Sequence, residues 1–404
     1  MKTHRLRSSL RVFAPAVVSL FALACPAILS AAVLYWDVNG NATDATYGGT
    51  GTWNNTNTFW NDSATIGSGT TLSAWDNAAS PLNSASFLRG TTDTVTVSGT
   101  VNALSMNLGS SAGSFTSGSG AYTLTGGTLD LRQTVFASDS ITNTSGTNTI
   151  DSAVVLWGTG SVAAAKITAT GGKLTINGGI SDGGLAAAHS FTMASFSGGE
   201  LIINGNITKG TGSSGIVWNV GSAGTANNGL FTLGGNNTGL TGVTTLNRGT
   251  LTLTSSSALS GATSVTVANA NSTVAAADTA NLLIGTGGVT ISKGITFAAL
   301  TSTDTSDIRT IGGSNITGTA TFSGLVTLNA FAASGNGSSL RVTSASGGTV
   351  AFSGGITDST ASVALLLNGT GIVKFTKLTG NSYDGGTTVS SGTLLVTNTS
   401  GSGT

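Results

Sequence analysis

Chemistry in this sequence could start from a carboxylate pair, from a histidine beside a serine, or from a row of tryptophans. General acid–base catalysis needs two groups placed to pass a proton. Glu200 is the only glutamate, and it stands in Gly198–Ile207, GGELIINGNI. Lys173 holds the same place in Gly171–Ile180, GGKLTINGGI, which puts Glu200 on the solvent face of a strand. Asp304 and Asp307, in TDTSD, are the closest aspartate pair. Their spacing in a Thr/Ser-rich stretch describes a solvated turn, as do the positions of Asp37, Asp44, Asp62 and Asp76. A two-carboxylate glycosidase therefore has no favoured pair. His189 precedes Ser190, but a nucleophilic triad is defined by geometry, not adjacency, and no G-x-S-x-G elbow is present. His189 is read as structural. Neither an EF-hand loop nor a calcium-binding nonapeptide occurs, and no phosphate-cradling glycine fingerprint does. The expectation is no catalytic, metal-binding or cofactor-binding residue, and no cofactor.

Four of the six tryptophans, Trp36, Trp53, Trp60 and Trp75, lie close together ahead of Phe87. Two readings compete for them. A flat indole face stacks on sugar rings, which would make a cell-surface or extracellular polysaccharide the partner. Alternatively, the aromatics cover the open end of a stacked β-structure, whose edges need closing.

The elements that must position these residues are strands. Charged residues are 7% of the 404, against about 25% in an ordinary domain, while Gly contributes 60 residues. Apolar residues are 39% and mean hydropathy is +0.27, so this is no charged disordered tail. Thr94–Val97, Thr123–Leu131, Lys173–Ile176, Leu201–Ile203, Thr250–Leu253, Val265–Val267, Val289–Ile291 and Leu394–Val396 alternate or run apolar between Gly, Asn and Ser. Such short segments predict strands with one buried face. A Gly pair, a short strand and a turn recur at irregular spacing. That pattern fits a solenoid in which strands stack and loops vary, and it lacks the linkers and large aromatic cores of tandem sandwiches.

Residues 1–32 have the form of a signal peptide. Lys2, Arg5, Arg7 and Arg11 are followed by the apolar Val12–Ala24 and small residues up to Ala32. Cleavage there removes the only cysteine, Cys25, so the mature chain has no thiol chemistry. It also removes those four cations, leaving 11 Lys/Arg against 15 Asp/Glu. Nucleic-acid binding needs a clustered basic surface, and none is visible. No membrane-spanning segment is expected in the mature chain. The expected organisation is 1–32 signal peptide, 33–131 a Trp-rich N-terminal cap, and 132–404 a β-solenoid.

Two phrases carry more information than any catalytic motif. Gly235–Leu253 is GNNTGLTGVTTLNRGTLTL, within 231–253, and Thr379–Val396 is TGNSYDGGTTVSSGTLLV, within 375–396. Both resemble the autotransporter-associated β-strand repeat, also called the passenger-associated transport repeat. Asn381, Tyr383, Gly385, Gly386, Thr387, Thr388, Val389, Gly392, Thr393 and Leu394 match its pattern. The first copy departs at Leu240 and Val243, where Tyr and Gly are usual. The resemblance implies an all-β, right-handed parallel β-helix that passes through export machinery to the outer-membrane surface or the exterior of a Gram-negative-type bacterium. It implies a structural or adhesive role and transfers no catalytic residue. An autotransporter also carries a membrane β-barrel, which is not found before Thr404. Truncation and release without an anchor both account for that. The competing function is a carbohydrate-binding or polysaccharide-degrading β-helix. Within the repeats, Leu and Val (Leu251, Leu394) are expected inward and Thr outward.

Overall fold

The computed structural model describes residues 31–43, 47–63, 69, 71–88, 92–109, 121–132, 139–157, 164–183, 189–195, 198–210, 216–220, 229–267, 279–299, 308–329, 339–359 and 362–400. Residues 1–30 of the proposed signal peptide, Asp44, Asp304 and Asp307 lie outside them. The described elements are strands, and nearly all pair in parallel with a strand one coil away. They form a 14-stranded sheet, a 16-stranded sheet and a 5-stranded sheet that wrap one axis as a β-solenoid.

The near-identical phrases at 171–180 and 198–207 are successive turns of that coil. Gly172 sits beside Gly199, Leu174 beside Leu201 and Ile176 beside Ile203. Leu174, Ile176, Leu201 and Ile203 are all completely buried. Because side chains alternate along a strand, Lys173 and Glu200 then fall outward, beside each other, and their charged groups meet at 3.3 Å. The expected solvent-face position of Glu200 is what the structure shows. At the adjacent corner, Asn204 donates to the Asn177 side chain at 2.9 Å and Asn177 to Asp151 at 2.8 Å, one coil at a time.

Coil length is not fixed, and this explains the irregular repeats. Leu230 pairs with Thr250 and Thr250 with Asn281, so successive coils here take 20 and 31 residues. The inward column is unbroken all the same: Phe231, Leu251, Leu282 and Ile311 are each buried to 1% exposure or less. Burying one such side chain contributes roughly 1.5–3 kcal/mol, and stacking supplies the partner surface that no coil has alone.

The two signature phrases use one local structure at two places in the coil. In the first, Val243–Leu246 joins the 14-stranded sheet and Gly249–Leu253 the 16-stranded sheet. In the second, Thr387–Val389 joins the 16-stranded sheet and Thr393–Val396 the 5-stranded sheet. The motif therefore encodes a strand, a corner and a strand, not a fixed face. The corner glycines Gly249 and Gly392 have φ of 85° and 78°. A Cβ on Gly392 would lie 2.3 Å from the Gly369 carbonyl oxygen of the preceding coil. Both L-chirality strain and close stacking therefore require glycine there.

One expectation about faces is corrected. Leu251 is buried and Thr252 half-buried, as anticipated, but Thr244 is 1% exposed while Val243 is exposed. Strand parity decides this: Leu246 faces inward, so Thr244, two residues back, must do so as well. Thr387 occupies the same inward register, beside buried Leu365. Leu394 packs against the core but is only partly buried.

Candidate functional site

The first strands differ from the rest. Val33–Trp36 pairs in parallel with Ser84–Phe87 and antiparallel with Thr58–Asn61, which in turn pairs antiparallel with Leu72–Ala74. This brings the four tryptophans together. Trp60 lies 5.2 Å from Trp36, 4.9 Å from Trp53 and 4.6 Å from Trp75, between ring centroids. Phe87 closes against Trp36, Trp53 and Trp60. Trp36 donates its indole N–H to the Gly49 carbonyl at 2.8 Å, and Trp75 to that of Asn102 at 3.0 Å. All four indoles are at most 1% exposed. Stacking on a sugar needs an accessible ring face, and Trp36, Trp53, Trp60 and Trp75, the residues of the glycan-platform reading, present none in this structure.

Asp37 is also corrected. It is fully buried rather than a solvated turn residue, and accepts a hydrogen bond from the Asn61 amide at 3.1 Å. Asp76 does sit in an exposed turn, accepting from the Ala78 N–H at 2.8 Å. His189 begins the strand His189–Ser195, with its backbone beside Ile216.

The signature asparagines have structural partners. Asn237, fully buried, donates to the carbonyls of Gly234 and Ala258, both at 2.8 Å. Its side-chain oxygen accepts the Ile207 N–H of the preceding coil at 2.8 Å. Asn381 repeats the last contact, accepting the Ile356 N–H at 2.9 Å. Tyr383, the residue missing from the first copy, packs on Phe375 at the end of a ladder running through Phe352 and Phe322. Its hydroxyl pairs with Thr387 at 2.5 Å. Leu240 is buried at the equivalent place in the first copy.

Coiling does assemble a polar and aromatic group that the linear sequence does not advertise. Arg132, Trp157 and Gly183 stack in neighbouring coils, Trp157 beside Arg132 in the strand register. The indole lies over Gly183, where an added Cβ would come within 1.9 Å of the ring. The Arg132 guanidinium is 5.2 Å from the indole centroid. It also grips Asp130 with two contacts, Nη2 at 2.8 Å and Nε at 3.2 Å. The carboxylate's hydrogen bond is the main reason the Arg132 pKa is raised further. Asp182 is 3% exposed and accepts the Gly210 N–H at 2.5 Å. An open depression of about 410 Å³ is bordered by Thr100, Thr128, Asp130, Trp157, Ser181 and Asp182. Sequence reasoning missed this group. The available signal was the coil spacing itself, which places Asp130, Val155 and Ser181 in one column.

Among the described residues, no three His, Cys, Asp or Glu side chains gather as metal ligands. No helix among them is long and apolar enough to cross a membrane.

The two signature phrases, which resemble the passenger repeats of autotransporters, build corners and inter-coil clamps in a parallel β-solenoid. Over 192 residues, 44% of its length, the chain is 33% identical to the "Adhesin BmaC autotransporter" of Brucella suis biovar 1 (strain 1330). The chain spans about 5% of that relative's length. No family model matches the chain, and no solved structure matches it. That relative is an autotransporter, and the likeness supports a location at the outer-membrane surface or outside a Gram-negative cell.

Proposed function

We propose that this chain is an adhesive, non-catalytic scaffold of the autotransporter-passenger type. Its strands pass through export machinery as an unfolded, thiol-free chain and stack outside into a rod whose lateral faces carry the adhesive contacts. The observation that supports this best is the joint one. The 192 residues alike to an adhesin autotransporter belong to a chain whose core is one continuous column of parallel rungs. A stack of this kind holds its lateral side chains in fixed register over a long surface, which suits repeated weak contacts. Display of the chain on a non-adherent Gram-negative host tests it. Attachment to epithelial cells and to polysaccharide-coated surfaces should rise above that of the empty display system. No rise on any surface would defeat the adhesive role.

A further inference from the structure

We propose that the depression beside Trp157 is a binding subsite for a neutral polysaccharide lying along the solenoid axis. It deepens the adhesive reading by naming a ligand class, and it uses none of the four buried tryptophans.

The depression is bordered from Thr100 through Thr128, Trp157 and Ser181 to Gly210, which lie on five successive coil levels. At about 4.8 Å per level, that is a track of roughly 19 Å. A track of that length takes an extended chain, not an isolated small ligand. Its aromatic element is Trp157, which is only half-buried, unlike the tryptophans of the first strands. Gly183 and Arg132 set the ring's position, Gly183 by having no side chain and Arg132 by its cation–π contact. Among the described residues, the Trp157 indole N–H is buried and has no hydrogen-bond partner.

The polar groups choose among polymers. Asp130 and Asp182 are 7% and 3% exposed and already oriented by Arg132 and Gly210. Pre-oriented carboxylates accept hydrogen bonds from sugar hydroxyls with little ordering cost. With Arg132 they leave the site one net negative charge, which repels a uronate chain. An apolar wall with a few fixed polar groups is the general form of a small-molecule site, and sugars present matching C–H and O–H faces.

The full chain, purified after export, would be applied to an array of neutral gluco-, manno- and xylo-oligosaccharides, oligogalacturonates and chitosan oligomers. At least one neutral series should be retained. Trp157→Ala should reduce that retention at least tenfold with an unchanged melting curve. Trp157→Phe should restore part of it, and Gly183→Ala, which displaces the indole, should mimic the loss. Retention of oligogalacturonates or chitosan alone, retention of no glycan, or equal binding by Trp157→Ala would overturn the proposal. Running the variants in the display assay separates the two readings. Attachment that survives the loss of glycan binding refutes this subsite as the adhesive contact, whereas glycan binding without attachment refutes the adhesive role.

Discussion

Asn237→Ala tests whether the signature asparagine is an inter-coil clamp. The change strands one buried donor, the Ile207 N–H, and two carbonyl oxygens, those of Gly234 and Ala258. A buried group left unsatisfied costs about 1–3 kcal/mol, and one carbonyl or more will find water once the side chain is gone. A net loss of about 3 kcal/mol is expected. A solenoid need not unfold in two states, so a single midpoint would blur the effect. Hydrogen exchange at Ile207 reads it locally. At 1.4 kcal/mol per factor of ten, protection of that amide should fall about a hundredfold. Asn236→Ala is the control, because Asn236 is exposed and its neighbouring change should stay within about 0.5 kcal/mol. Asn237→Asp should be worse than Asn237→Ala, since it keeps the acceptor for Ile207 but turns a negative charge toward two carbonyls. Equal protection at Ile207 in Asn237→Ala and Asn236→Ala would refute the clamp.

Leu251→Asp should lower the melting temperature well beyond Thr252→Asp, because it puts a charge in a fully buried column; equal shifts would invert the assigned faces. Trp53→Ala should cost about 3–5 kcal/mol, as a large aromatic leaves a cavity among its neighbours, while leaving glycan-array binding by the folded fraction unchanged. Acid should loosen the last coil: hydrogen bonds with Ser362 and Asp358 hold the Asp384 carboxyl below its usual range. A folded-state pKa below the unfolded one means the contribution is present above the usual aspartate range and disappears as pH falls through the depressed value. Exchange protection near Asp384 should therefore fall on acidification in that window, and Asp384→Asn should remove the pH dependence.

The strands were legible because their signal is local. Alternation in Thr94–Val97 or Thr250–Leu253 and glycine at the corners depend only on nearest neighbours, and each appears as a strand or a positive-φ corner in the solenoid. Even the face of Thr244 followed from parity with Leu246, although "Thr outward" was the simpler reading. Burial of Trp36, Trp53, Trp60 and Trp75 was not legible in that way. A cluster of aromatics in sequence has the same composition whether it plugs a core or faces water, and only the antiparallel strands around Trp60 decide.

The sequence by itself determined the all-β class, the repeated strand–corner–strand phrase and the presence of a single cysteine, Cys25, because composition and period-two alternation carry these. Tertiary structure alone decided which residues meet. Coils of unequal length bring Asn237 to Ile207 and Trp157 to Gly183. Those contacts rest on the register between coils, which is fixed by the whole buried column and not by the residues near any one of them.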